Sequence, residues 1–317
     1  LIEHSIESTK ITPLDEYNSL PDEDLMSREK RDLKLFDETH YSNDKKIEFL
    51  EKVENSASTS DLIVNTEASF VESKSNFVLA NSNGFSCGYK TSSFLSSCVA
   101  VSKANGAMER DYEVSNTRFL NDILDPEVIG KIAAERAIKK LDPKKIKSEK
   151  IGIIFDKRIS RGILNTFENA ISASAISKGT SFLKNQKDEQ IFPKEVNIID
   201  DPKILKGLGS QNFDSEGVET NSINLIEDGI LKNYLIDTYY GKKLNLKSNG
   251  RSGGSTNLYF KNGNISLDEI FKLNKKFLYV NSTIGRGTNI ITGDYSVGAS
   301  GFMVEDGELT YPVSEIT

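Results

Sequence analysis

The sequence predicts an α+β protein: an N-terminal α/β domain with an antiparallel sheet and helices, followed by a strand-rich C-terminal domain with one prominent helix. Three observations carry this. Residues 62–118 alternate apolar and polar side chains and are broken by Asn83-Gly84 and Asn105-Gly106, dipeptides that tolerate the positive φ of a tight hairpin. Helical patterns with capping residues flank that stretch. The second half is strand text split by Gly and Asn, where Asp228-Gly229 and Asp306-Gly307 repeat the hairpin signal. A chain of 317 residues, 37% hydrophobic, fills two modest cores more readily than a single large one. The charged link "DPKKIKSEK" at 142–150 places the boundary, giving domains 1–148 and 149–317.

Residues 1–44 are acidic and polar, broken by Pro13 and Pro21, and read as helical pieces and loops, with 22–38 the best short helix. The stretch 43–58 reads as a helix with Ile47, Leu50 and Val53 at helical spacing and Ser56 near its stop. An antiparallel meander fills 62–118. In 125–141, Asp125 caps a helix, Pro126 suits its first turn, and Glu127 complements the positive end of the dipole. Its apolar stripe is Val128, Ile129, Ile132, Ala133, Ala137 and Leu141, and Lys139-Lys140 favour its C-terminal end.

The second half opens with a short buried strand at 151–155, then a helix over 160–178, a loop at 186–192 and a strand at 195–200. The remainder reads as strands, including 223–240 and 301–313, which share an aliphatic–Glu–Asp–Gly–x–Leu core at 226–231 and 304–309. The glycine-rich stretch 284–302 reads as a strand at 289–291, a turn at 292–296 and a strand from 299 to 304.

The net charge of -7 argues against nucleic acid, whose phosphates need a basic face. No apolar run reaches bilayer-spanning length and no signal peptide is visible, so a cytoplasmic protein without membrane contact is expected. Cys87 and Cys98 lack zinc-site spacing and read as buried or half-buried thiols. A start at Leu1 and an end on strand-like text suggest a piece trimmed from a longer chain.

Catalytic chemistry is hard to assemble from these residues. Only His4 and His40 are present, both in the polar N-terminal stretch, so no imidazole serves Ser300, whose surroundings also lack the glycine placement of a nucleophile elbow. There is no G-x-x-x-x-G-K-[ST]. The stretch "SNGRSGGST" at 248–256, with Arg251, reads as a flexible loop before a strand rather than a phosphate cradle. No paired histidines, calcium loop or cysteine pair occurs at ligand spacing, and Glu227-Asp228 and Glu305-Asp306 fall at turn tips. No cofactor is expected.

Several collinear blocks nevertheless form a pattern: "LANSNGFSCGYKTS", "MERDYEVSNTR", "ILDPEVIGKIAAERA", "FDSEGVETN", "LIEDGILKNYLIDTYYGKKL", "GGSTNLYF" and "TGDYSVGASGFMVEDGELTYPVSEIT". In these the chain resembles the TldD/PmbA family, specifically its PmbA (TldE) branch, from about residue 61 to 317, with weaker signs towards the start. The resemblance implies a two-domain α+β protein, usually dimeric, that lacks here an initial segment and a short tail. In the TldD branch a helix carries H-E-x-x-x-H, which binds a catalytic metal with help from a later cysteine. TldD-type and PmbA-type subunits pair into a metallopeptidase that cuts unfolded or extended peptides, associated with peptide-antibiotic maturation and antitoxin turnover. An older name for the branch is modulator of DNA gyrase.

At the motif positions this sequence has Asn165, Thr166 and Ala170, with Glu168 nearby, and no cysteine follows Cys98. The resemblance therefore implies a non-catalytic subunit whose partners are a TldD-like metal-bearing subunit or itself, and an extended peptide. The alternative is an independent homodimeric peptide-binding or adaptor protein without peptidase activity; a stand-alone hydrolase using the glycine-rich C-terminal text ranks third. Candidate peptide-facing or signature positions are Asn81, Asn83, Gly84, Asp111, Tyr112, Gly253, Gly254, Asn289, Asp294, Tyr295, Ser296, Gly298 and Gly301. On this reading the glycine-rich stretch is a peptide-facing wall, in which Asp294, Tyr295 and Ser296 position backbone or peptide.

Overall fold

The alternating text of 62–118 folds into three antiparallel strands in the order β1-β2-β3: β1 (Ile63–Ala80), β2 (Ser86–Ala104) and β3 (Ala107–Thr117). This computed structural model describes every residue except Glu29 and Arg286. Asn105 (φ 49) and Gly106 (φ 84) make the two-residue turn expected between β2 and β3. The β1–β2 turn is wider, and Asn81 organises it: its Oδ1 accepts the N–H groups of Asn83 and Phe85, each at 3.1 Å.

One face of this sheet is covered by α2 (Asn43–Ala57) and α3 (Pro126–Lys139). Both start on side-chain caps, Ser42 accepting from the Lys45 N–H and Asp125 from the Glu127 N–H. Phe94, Cys98 and Ala100 of β2 point inward, and burial pushes the Cys98 thiol up to about 11, which keeps it an inert small apolar group. The helix α2 buries Phe49, Val53 and Ala57; the expected Ile47 is exposed and Leu50 only half-buried. Val128 of the expected α3 stripe is also exposed, whereas Ile129, Ala133 and Ala137 are buried. Gly130 explains how the two helices approach, since a Cβ there would lie 2.1 Å from the Val53 carbonyl oxygen.

The helix expected over 22–38 does not form. Among the described residues of that stretch the one helical element is a 3-10 turn, Glu23–Leu25, and Met26 then bridges to Val218. Leu33 and Leu35 are both buried on either side of Lys34, which stands at φ 56, a conformation no right-handed helix contains. Their carbonyls accept the N–H groups of Lys206 and Ser92, at 2.8 and 3.0 Å. Further upstream, α1 (Ile2–Ile11) buries no residue.

The second half holds two four-stranded sheets. In the first, ordered β11-β10-β9-β4, β4 (Gly152–Phe155) runs parallel to β9 (Lys276–Ile284), while β10 (Gly298–Glu305) and β11 (Glu308–Ile316) are antiparallel. The strand at β4 was expected to be buried; it is an edge, with Ile153 exposed. The second sheet, ordered β7-β6-β5-β8, comprises β5 (Ile198–Asp200), β6 (Ile223–Glu227), β7 (Ile230–Leu231) and β8 (Leu258–Phe260). The Asp228-Gly229 and Asp306-Gly307 turns form as expected, all four residues at positive φ.

The single helix expected over 160–178 is two: α4 (Lys157–Ala170) and α5 (Ala173–Lys178), divided where the Ser172 side chain caps the second by accepting from the Ala175 N–H. Within text read as strand, Asp237 caps a short helix, α6 (Thr238–Lys243). An unforeseen helix, α7 (Leu267–Phe271), begins on a Ser266–Glu269 capping box. The main core of this half joins Leu164, Phe167 and Ile171 to Ile198, Leu225 and Leu231. Among the described residues no helix is long and apolar enough to cross a membrane.

Candidate functional site

Helix α4 is strongly two-sided. Leu164, Phe167 and Ala170 face the core, while Asn165 is exposed and Thr166 and Glu168 reach two glycine-rich segments. The Thr166 Oγ1 lies 3.2 Å from Thr288 Oγ1, and Glu168 Oε1 accepts the Ser255 N–H at 2.8 Å. Gly254 sits under that carboxylate at φ 99, and a Cβ there would lie 2.8 Å from Glu168 Oε1. The position therefore needs bare backbone. Its neighbour Gly253, at φ 101, similarly faces Ser215 Oγ.

The loop bearing these glycines was expected to be flexible; it is pinned from beneath. The side chains of Arg251 and Asp200 are fully buried against each other, Nε to Oδ2 at 2.5 Å. Asp200 Oδ1 accepts from the Thr256 N–H and Oγ1 at 2.7 and 2.9 Å, while the Arg251 Nη groups donate to the carbonyls of Asn249, Gly250 and Asn221. All the guanidinium's directions are thus turned inward, which leaves no cation for a phosphate. Asp214, 1% exposed, ties the loop to the 214–218 turn by accepting the N–H groups of Ser252, Glu216 and Val218. Burial raises the Asp214 carboxyl to about 6 against the pull of those donors. Next to it, Glu216 Oε2 accepts from Thr238 N–H and Oγ1 at the start of α6.

The stretch 284–302 also differs from expectation. Residues 289–291 form no strand; Thr288 and Tyr295 make an isolated antiparallel bridge, and the chain reverses between them. The Asn289 N–H donates to the Asp294 carbonyl and the Gly293 N–H to the Asn289 carbonyl, at 2.9 and 2.8 Å. Two candidate peptide-facing side chains serve this turn, Asn289 Oδ1 accepting from Ile291 N–H and Asp294 Oδ2 from Thr292 Oγ1. The turn docks through the Phe182 N–H to the Ile290 carbonyl, with Gly293 over the Phe182 ring. Asn289, Asp294, Tyr295 and Ser296 are exposed, and Arg286 lies outside the described residues. Gly301 is buried in β10 where the register with β9 shifts, and a Cβ there would lie 2.0 Å from the Tyr279 carbonyl oxygen; at Gly298 the nearest atom is 3.5 Å away.

The remaining candidates lie elsewhere. Asn81, Asn83 and Gly84 build the β1–β2 turn, whose Phe85 packs edge-on against Phe213 at 5.2 Å. Asp111 and Tyr112 form an anchor to α4. Asp111 is 3% exposed and is paired with Arg158 at 2.7 Å and Lys140 at 2.9 Å; Arg158 also stacks over the Tyr112 ring. Burial alone would raise the Asp111 carboxyl, but the bonds from Arg158 and Lys140 hold it below its usual range. With the Tyr112 N–H also on Oδ1 at 2.7 Å, the buried carboxylate has no free face for a peptide. Sequence reasoning passed over Asp200 and Asp214. Arg251 and Asp200 stand 51 residues apart, so no local pattern announces their pairing.

Residues 36–141 match the PmbA/TldA metallopeptidase central domain, and 148–317 match the PmbA/TldA metallopeptidase C-terminal domain. Metalloprotease PmbA of Escherichia coli O157:H7 is 37% identical over 319 residues, covering 100% of this chain and 71% of that protein. The PmbA homolog of Haemophilus influenzae is 35% identical, with the same coverage. The crystal structure of a proposed modulator of DNA gyrase from Bacteroides thetaiotaomicron aligns with a TM-score of 0.94 at 31% identity, covering 99% of this chain and 72% of that one. The chain belongs to the PmbA/TldA, or TldD/PmbA, metallopeptidase family. Its branch is PmbA (TldE), to whose members it is similar along its whole length.

A family of metallopeptidases implies a metal, and the residues here do not fit one. Asn165 offers a weak amide, Thr166 is engaged with Thr288, Ala170 has no ligand atom and is buried, and Glu168 is spent on the Ser255 loop. Among the described residues no group of three His, Cys, Asp or Glu side chains is placed to hold a metal ion.

Proposed function

We propose that this chain is a non-catalytic, cytoplasmic subunit that holds an extended peptide for a metal-bearing, TldD-type subunit of the same family. The observation that carries this reading is the state of α4. A catalytic zinc site needs three protein ligands and an open position; at the motif positions the helix carries an amide, a hydroxyl and a methyl group, and its Thr166 and Glu168 are hydrogen-bonded to two glycine-rich loops. What the chain does offer is backbone. Among the described residues the strand β1 has β2 as its one sheet neighbour, and residues 73–78 near its end are all exposed, so unpaired N–H and C=O groups are open to an added strand. Recognition through main-chain bonds makes little demand on peptide sequence.

Co-expression with a partner that carries H-E-x-x-x-H, followed by a cleavage assay on an unfolded peptide, tests the reading. The two chains are expected to co-purify, the pair to cleave faster than the partner alone, and this chain alone to be inactive with zinc supplied. Equal rates for pair and partner, or metal-dependent turnover by this chain alone, would overturn it.

A further inference from the structure

We infer that the cleft beside the β1–β2 turn is a subsite for the C-terminal carboxylate of a bound peptide whose last side chain is apolar or aromatic. The inference rests on the peptide-holding reading above and names where one end of that peptide lies. The cleft, a cavity of about 470 Å³, is lined by Lys30, Arg31, Val78, Cys87, Tyr89 and Phe213, among others.

Three features of this cleft point to such an occupant. On a chain of net charge -7, Lys30 and Arg31 stand adjacent at one cleft, and among the described residues neither side chain has an ion pair or hydrogen bond. A carboxylate is the complement of that pair, and a guanidinium can grip it through two parallel bonds. The cleft also has aromatic walls: the rings of Tyr89 and Phe213 meet edge-to-face at 5.5 Å, and Phe213 is 1% exposed, so its position is set by packing. Phe213 backs the half-buried Tyr89 ring, and an apolar terminal side chain gains from lying on that ring. Finally, Val78 belongs both to the cleft and to the open end of β1, so a strand added along β1 leads directly to the cations. A small free acid would use the cations and rings but would have no use for that edge.

The test uses the whole chain and two labelled ten-residue unstructured peptides ending in Phe, identical except that one has a free carboxylate and the other a C-terminal amide. Fluorescence polarisation is expected to show the acid binding about tenfold more tightly than the amide. In the Lys30→Ser, Arg31→Ser double variant the two affinities should converge. Both side chains are exposed, so an unchanged melting temperature will show that the variant is folded. The acid should also slow alkylation of the half-buried Cys87 thiol by iodoacetamide, whereas the amide at the same concentration should not. If acid and amide bind equally, the subsite is wrong and the peptide-holding reading stands. If neither binds, both fail.

Discussion

Asp214 collects three backbone N–H groups, yet burial keeps its carboxyl up at about 6, and the two facts together define a pH dependence. A carboxyl whose folded value lies above its unfolded value of about 3.8 prefers to be protonated when folded. Its stabilising contribution is therefore complete at low pH and is lost as pH climbs from about 4 through 6, by about 3 kcal/mol. Glu72 runs the other way. Despite burial, Lys46, His40 and Lys74 lower it to about 2, so its contribution is already complete above its ordinary range. Between pH 4.5 and 6.5 the Asp214→Asn variant should thus show a flatter stability profile than the parent in urea titrations. Parallel profiles would mean that Asp214 titrates normally. Arg251 poses the opposite case, a buried charge with every donor matched. Replacing it with Leu strands the buried Asp200 carboxylate and should cost about 3–5 kcal/mol, read as a fall in the urea midpoint.

At the scale of elements, Gly130 decides how closely α2 and α3 pack. Ala is normally the better helix former by about 1 kcal/mol, but here its Cβ would press on the Val53 carbonyl and the Ser56 Oγ, each at 2.1 Å. Backbone cannot yield cheaply, so Gly130→Ala should destabilise the chain by about 1–3 kcal/mol net; a rise in melting temperature would contradict this packing account. Which elements were legible in the sequence follows from where their causes lie. The Asn105-Gly106, Asp228-Gly229 and Asp306-Gly307 turns and the Asp125 cap are local chemistry, and each formed where it was read. Residues 22–38 look helical by composition, but Leu33 and Leu35 are claimed by partners at 206 and 92, a tertiary cause that no local window contains. The capping box of α7 was present in the text and went unread. Within the candidate site, the choice of 165, 166 and 170 as the motif positions comes from the family pattern alone. The contacts made there, Thr166 on Thr288 and Glu168 on Ser255, join residues 122 and 87 positions apart and were visible only in the fold.

For the whole molecule, α4 is a two-sided helix whose Thr166 and Glu168 side chains bind glycine-rich loops. The Arg251–Asp200 pair and Asp214 hold one of those loops, and the Phe182 backbone holds the other. On the proposed function, these ties make α4 part of a rigid wall for a peptide. The most direct measurement is the zinc content of the purified chain after equilibration with excess Zn²⁺ and removal of unbound metal. The account predicts far less than one equivalent retained, unchanged by Glu168→Gln. One tightly held equivalent per chain, lost in that variant, would contradict it.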